Sequence, residues 1–203
     1  MRLLILMILL ATFPLKAITT EAKQAILIDA HTGRVLFEKN ADVLMAPSSM
    51  TKIATVMLIF RELENRNLKE DDLLPVSKLA WKKGGSRMFL EVGTMVRVKD
   101  LLKGVTVQSG NDASIVLAEG VYGNEGVFAT EITRLAHQLG ATKTTFKNAT
   151  GWPDPTHLTT ARDLAIITRA LIKQYKSLYD KYFGIKEFTY NNIRQQNRNP
   201  LLY

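Results

Sequence analysis

After residue 22 the apolar positions gather first into two short runs, Ala25-Ile26-Leu27-Ile28 and Val35-Leu36-Phe37, on either side of His31-Thr32-Gly33. Runs of that length around a glycine-containing turn predict a β-hairpin. Residues 40–47 are polar and read as a loop. Beyond Pro47 the spacing changes: Ile53, Val56, Met57 and Phe60 recur at three- and four-residue steps, with Ala54, Leu58 and Ile59 between them. This predicts a helix from Ser48 or Ser49 to about Glu64, and one apolar on nearly every side belongs at the centre of the molecule.

Leu73 to Ala80 and Thr94 to Val98 read as short strand-like or irregular pieces around a loop, Lys82-Lys83-Gly84-Gly85-Ser86. A helix is predicted over 98–107, a turn at Gln108-Ser109-Gly110-Asn111, and a helix of small residues over 112–120. Residues 125–139 are amphipathic and stop at Gly140, a C-terminal glycine cap. Thr160-Ala161-Arg162-Asp163 has the spacing that opens a helix, here expected over 161–175. A strand-like pair, 186–190 and 193–194, flanks Asn191-Asn192. Strands, then many helices, then strands suggest an α/β fold with a helical insertion.

The first 17 residues differ in kind. Arg2 supplies one positive charge, Leu3 to Phe13 is an apolar run broken only by Thr12, and Pro14-Leu15-Lys16-Ala17 ends in a small residue. That order matches a secretory signal peptide, and 11 residues are too short to cross a bilayer as a helix. The expectation is a leader over 1–17, an exported protein and one domain over 18–203. Length and an apolar fraction of 46% suit a chain able to bury a core. With no cysteine, disulfide scaffolds, cysteine-ligated zinc and a thiol nucleophile are excluded.

Charge adds little. Of the formal +8, Arg2 and Lys16 contribute two units that leave with a leader, and the remaining lysines are scattered. The tightest cluster is Lys82-Lys83, with no basic arm interleaved with aromatics, so no nucleic-acid partner is expected. His31, His137 and His157 are too far apart in sequence to suggest a ligand set. Neither a metal nor a cofactor is expected.

Ser49-Met50-Thr51-Lys52 is a Ser-x-x-Lys. On a helix, positions i and i+3 share a face, so the amine can lie beside the hydroxyl and take its proton. A serine at a helix start also meets free backbone N–H groups suited to a developing oxyanion. Alone, the pattern is equally a serine cap followed by an exposed lysine. Ser109-Gly110-Asn111 offers a second hydroxyl and an amide two residues on, although these residue types also make an ordinary turn.

Together, Ser-x-x-Lys opening a buried helix and Ser-x-Asn some 60 residues later resemble the penicillin-binding proteins and serine β-lactamases. The wording of Ala25–Leu36, Pro47–Lys52, Gln108–Ser114 and Leu158–Ala165 is similar to the low-molecular-mass D-alanyl-D-alanine carboxypeptidases, and the resemblance runs from about Glu21 to Tyr203. It implies a β-lactamase/transpeptidase-like fold and a serine peptidase. Ser49 would be the acyl-forming nucleophile, Lys52 its general base, Ser109 a proton-relay serine and Asn111 a substrate-amide ligand. The implied substrate is the D-Ala-D-Ala end of a peptidoglycan stem peptide, and penicillins and other β-lactams would acylate the same serine. The implied location is periplasmic.

The family's third motif, Lys-Thr-Gly, does not occur in the sequence. Lys143-Thr144-Thr145 is a near miss in a stretch where the family carries a structural segment. The resemblance therefore implies that the domain is incomplete at Tyr203, with strands and any C-terminal membrane-attachment region lying beyond. It also implies slow turnover, since the family meets the substrate carboxylate with that lysine. Two rivals follow. A class A β-lactamase would need a deacylating glutamate after Ser109, where only Glu119, Glu125, Glu131 and Glu187 are available, none with an asparagine three residues on. A catalytically degenerate cell-wall-binding fragment would keep the fold and lose the chemistry.

Overall fold

The hairpin forms as the pattern requires. In the computed structural model, which describes residues 18–203, strands β1 (Ala25–Ile28) and β2 (Val35–Lys39) pair antiparallel. Asp29 Oδ1 closes the turn by accepting from the Thr32 amide and hydroxyl, both at 2.6 Å, and Gly33 takes φ +82°. The leader expected over 1–17 lies outside the described residues.

The chain then enters a single 3₁₀ turn, Ser48–Met50, that runs directly into helix α1 (Thr51–Glu64). Met57, Leu58, Ile59 and Phe60 have no solvent exposure, so α1 is the central helix that its all-round apolar pattern predicted. Around it stand α3 (Val98–Gln108), α4 (Asn111–Tyr122), α5 (Glu125–Gln138) and α6 (Ala161–Gln174), each in contact with α1. Helix α6 also covers β1, and Arg169 Nε donates to the Ala30 carbonyl at 3.0 Å.

Strands β3 (Leu73–Pro75) and β4 (Met95–Arg97) form a second short ladder, and β5 (Glu187–Tyr190) with β6 (Ile193–Gln196) a third. The described strands thus form three separate antiparallel pairs around a helical centre. Two helices were not read from the sequence. Residues 78–82, expected to be strand-like or irregular at their start, form α2 (Lys78–Lys82), capped by Ser77 Oγ accepting from the Ala80 amide at 3.0 Å. Helix α7 (Lys176–Phe183) follows α6 after a break at Tyr175 and buries Tyr182.

Two expected caps form. Gly140 follows α5 at φ +97°, its amide donating to the His137 carbonyl at 3.0 Å. Thr160 Oγ1 accepts from the Asp163 amide at 3.0 Å. The Asp163 carboxylate instead takes the Lys143 amide and the Thr144 hydroxyl, tying the start of α6 to the preceding loop. Among the described residues no helix is long and apolar enough to cross a membrane.

Candidate active site

Ser49 is set by its neighbours. Ser48 adopts φ +49° and Gly151 φ +82°, and a Cβ at Gly151 would lie 1.7 Å from the Ser48 carbonyl oxygen. Only glycine permits that approach. From the other side the Thr51 hydroxyl donates to the same carbonyl at 2.9 Å. Thr51 is in turn held by His157: the Lys147 amide donates to His157 Nδ1 at 3.1 Å, which leaves the ring proton on Nε2, 2.9 Å from Thr51 Oγ1. Burial keeps the His157 pKa below its ordinary value, which favours the neutral ring this chain of bonds needs. The exposed Ser49 is therefore mounted on a segment fixed from two sides.

Lys52 sits one turn on and is buried, at 5% exposure. Its Nζ donates to Ser49 Oγ at 3.3 Å, to Asn111 Oδ1 at 2.8 Å and to the Thr150 carbonyl at 2.8 Å. Three acceptors match the three protons of an ammonium. None of them is a carboxylate. The pKa of Lys52 is lowered to about 8, by burial first and by the Arg198 charge second, with Asp112 opposing the shift. A lysine so placed can lose its proton near neutrality while keeping two N–H donors on Asn111 and Thr150. Its lone pair then faces Ser49.

The turn between α3 and α4 supplies the other two residues. Ser109 ends α3 in the left-handed region at φ +59°. Asn111 opens α4, its amide donating to the Ser86 carbonyl and its Nδ2 to the Gly84 carbonyl, both at 2.8 Å. The Nδ2 bond fixes the side-chain flip, so Oδ1 faces Lys52. Asp112, 1% exposed, accepts from the Met88 and Leu90 amides and so pins the loop before α3 against α4.

Ser49, Lys52 and Ser109 line one cleft of about 560 Å³, together with Phe183 and residues 197–199. Asn111 meets it through Lys52. Arg198 is the cleft's second cation, with Nε donating to Gln108 Oε1 at 3.0 Å beside Ser109. Among the described residues no glutamate lines the cleft. Glu125 accepts from the Ala149 amide at 2.9 Å, and burial raises its pKa. Lys143-Thr144-Thr145 lies elsewhere, with Lys143 near Asp42 and Thr144 bonded to Asp163.

All four candidate residues thus converge. The supporting groups are not legible in the sequence: the Thr150 and Gly84 carbonyls carry no side-chain signature, and His157 belongs to no motif there. For His157 the only local hint is its place just before the Thr160 cap. Asn148 is a further support, its Oδ1 accepting from the Thr150, Gly151 and Trp152 amides at 3.2, 2.8 and 2.9 Å.

A family model described as D-alanyl-D-alanine carboxypeptidase (Peptidase_S11) matches residues 11–203. The chain is 42% identical over 194 residues to the D-alanyl-D-alanine carboxypeptidase DacC of Escherichia coli, covering 93% of this chain and 48% of that protein. It is 41% identical over 177 residues to DacF of Bacillus subtilis, covering 87% and 44%. Penicillin binding protein 5 from Haemophilus influenzae superposes with a TM-score of 0.86 at 35% identity, over 92% of this chain and 56% of that one. The chain spans about half the length of the curated relatives it matches.

Proposed function

The chain belongs to the D-alanyl-D-alanine carboxypeptidase family, and from that premise we propose that it acts as a serine-type carboxypeptidase on D-Ala-D-Ala ends of peptidoglycan stem peptides. The observation that carries this reading is the Lys52 amine, buried, carboxylate-free and 3.3 Å from Ser49 Oγ. A lysine paired with a carboxylate would stay protonated; this one is poised to accept a proton.

Ser49 Oγ attacks the carbonyl carbon of the penultimate D-alanine as its proton passes to Lys52 Nζ. The C–N bond then breaks, and the departing amine of the terminal D-alanine takes a proton, for which the Ser109 hydroxyl in the same cleft is a suitable relay. Water attacks the resulting ester, returns its proton through the same bases, and frees Ser49. Arg198 suits the substrate's terminal carboxylate, and Asn111 a substrate amide. Penicillins, whose strained amide the same serine can open, acylate Ser49. Export to the periplasm belongs to this reading, because the polymer lies outside the cytoplasm.

The rival β-lactamase reading needs a glutamate to activate the deacylating water, and among the described residues none lines the cleft. The test is D-alanine release from an acylated D-Ala-D-Ala peptide by the chain and by Ser49→Ala. Release that depends on Ser49 is expected. Equal release by both forms contradicts the proposal, as does multiple-turnover penicillin hydrolysis without peptide cleavage, which is the β-lactamase outcome. Absence of any Ser49-dependent reaction with peptide or penicillin would mark a degenerate binding fragment.

A further inference from the structure

The Lys82-Lys83 cluster and the exposed Trp152 are not used by the chemistry above, yet the fold brings them to the rim of the site. Lys83 Nζ lies 4.4 Å from the centre of the Trp152 ring, and Trp152 is 42% exposed. The ring stands just beyond Asn111. A Cβ at Gly85 would lie 2.8 Å from Asn111 Nδ2 and 3.6 Å from Trp152 Cζ3, and one at Gly84 3.6 Å from Trp152 Cη2. Lacking side chains, the two glycines let the amide and the indole pack side by side against the same stretch of loop. One or two extended residues, at about 3.5 Å each, bridge groups so close.

The platform is rigid rather than incidental. Asn148 Oδ1 accepts from the Trp152 amide at 2.9 Å, and Asn148 Nδ2 donates to the Trp152 carbonyl at 2.9 Å. On the facing loop Arg87 Nε donates to the Lys83 carbonyl at 2.9 Å. Among the described residues Lys82, Lys83 and Arg87 enter no ion pair. A cleft of about 350 Å³ between Pro47, Ser48, Trp152 and Pro155 continues from the ring. An aromatic face held beside unpaired cations suits a ligand with an apolar stem and an anionic tip.

We propose that Trp152 and Lys83 form a substrate subsite for an acidic side chain one or two residues upstream of the D-Ala-D-Ala end, its methylenes against the indole and its carboxylate toward Lys83. The subsite rests on the proposed function, because that reading places the upstream peptide past Asn111. It would make the enzyme favour stem peptides that carry a free side-chain carboxylate over amidated ones.

Binding to the Ser49→Ala chain, which cannot be acylated, tests this without requiring turnover. The ligands are N-acetyl-D-Ala-D-Ala, the same dipeptide extended by a glutamate, and the extension with glutamine in its place. The glutamate peptide is expected to bind about threefold to fivefold more tightly than the glutamine peptide, the range of a partly exposed charge pair. Adding Lys83→Gln should erase that preference and leave the glutamine peptide unchanged. Trp152→Ala should weaken both extended peptides and spare the dipeptide. Equal affinities for the two extensions, or a preference that survives Lys83→Gln, would overturn the subsite while leaving the proposed function intact. If no D-Ala-D-Ala peptide binds and the unsubstituted chain takes no penicillin on Ser49, the function itself fails, and the subsite with it.

Discussion

Lys52 meets three acceptors and no carboxylate, and its pKa is lowered to about 8, chiefly by burial. At pH 7 only about a tenth of the chains then carry the free amine. Acylation by penicillin should rise with pH and level off above about 8. Arg198 adds a positive neighbour that disfavours the ammonium, so removing it raises the Lys52 pKa. In Arg198→Gln the rising limb should move to higher pH, read from acylation rates between pH 6 and 10. A limb that stays in place or moves to lower pH would show that Arg198 does not act on Lys52. At this scale the sequence was informative for the side chains that carry chemistry. Ser49, Lys52, Ser109 and Asn111 were named from two short motifs. The Thr150 and Gly84 carbonyls that orient them were invisible, because a backbone acceptor has no residue type to announce it.

Among the elements, the start of α1 and the loop at Gly151 are locked together by a contact that tolerates no side chain. Gly151→Ala would demand both an unfavourable positive φ and a clash with the Ser48 carbonyl. The expected cost is about 2–4 kcal/mol, seen as a fall in melting temperature, with slower penicillin acylation because Ser48 carries Ser49 with it. Wild-type stability and acylation in this variant would show that the loop can yield. The elements themselves were legible where one pattern dominated: the hairpin by its turn, α1 by its apolar girth, α5 and α6 by their caps. Helix α2 was misread because its first residues continue a strand-like stretch, and the Ser77 cap was the overlooked signal. Helix α7 begins straight after the break at Tyr175, and the helical spacing of Leu178, Tyr179, Tyr182 and Phe183 is its signal in the sequence.

For the molecule as a whole, the all-round burial of α1 explains how residues 60 positions apart come to share one cleft. The helix presents Lys52 at its first turn, and α3, α4 and the Thr150 loop pack against it from different sides. The pairing of strands into three separate ladders could not be read from the pattern, since the strands are too short to specify partners. The family membership of residues 11–203 agrees with this architecture, and the chemistry proposed for it depends on Ser49 and Lys52 acting as a unit. Intact-mass spectrometry after incubation with benzylpenicillin, followed by peptide mapping, tests that dependence most directly. The account expects a gain of one penicillin mass on Ser49, no gain in Ser49→Ala, and at least about a hundredfold slower gain in Lys52→Ala, the usual scale for a lost general base. An adduct mapped to another residue, or one that forms at the wild-type rate in Lys52→Ala, would contradict it.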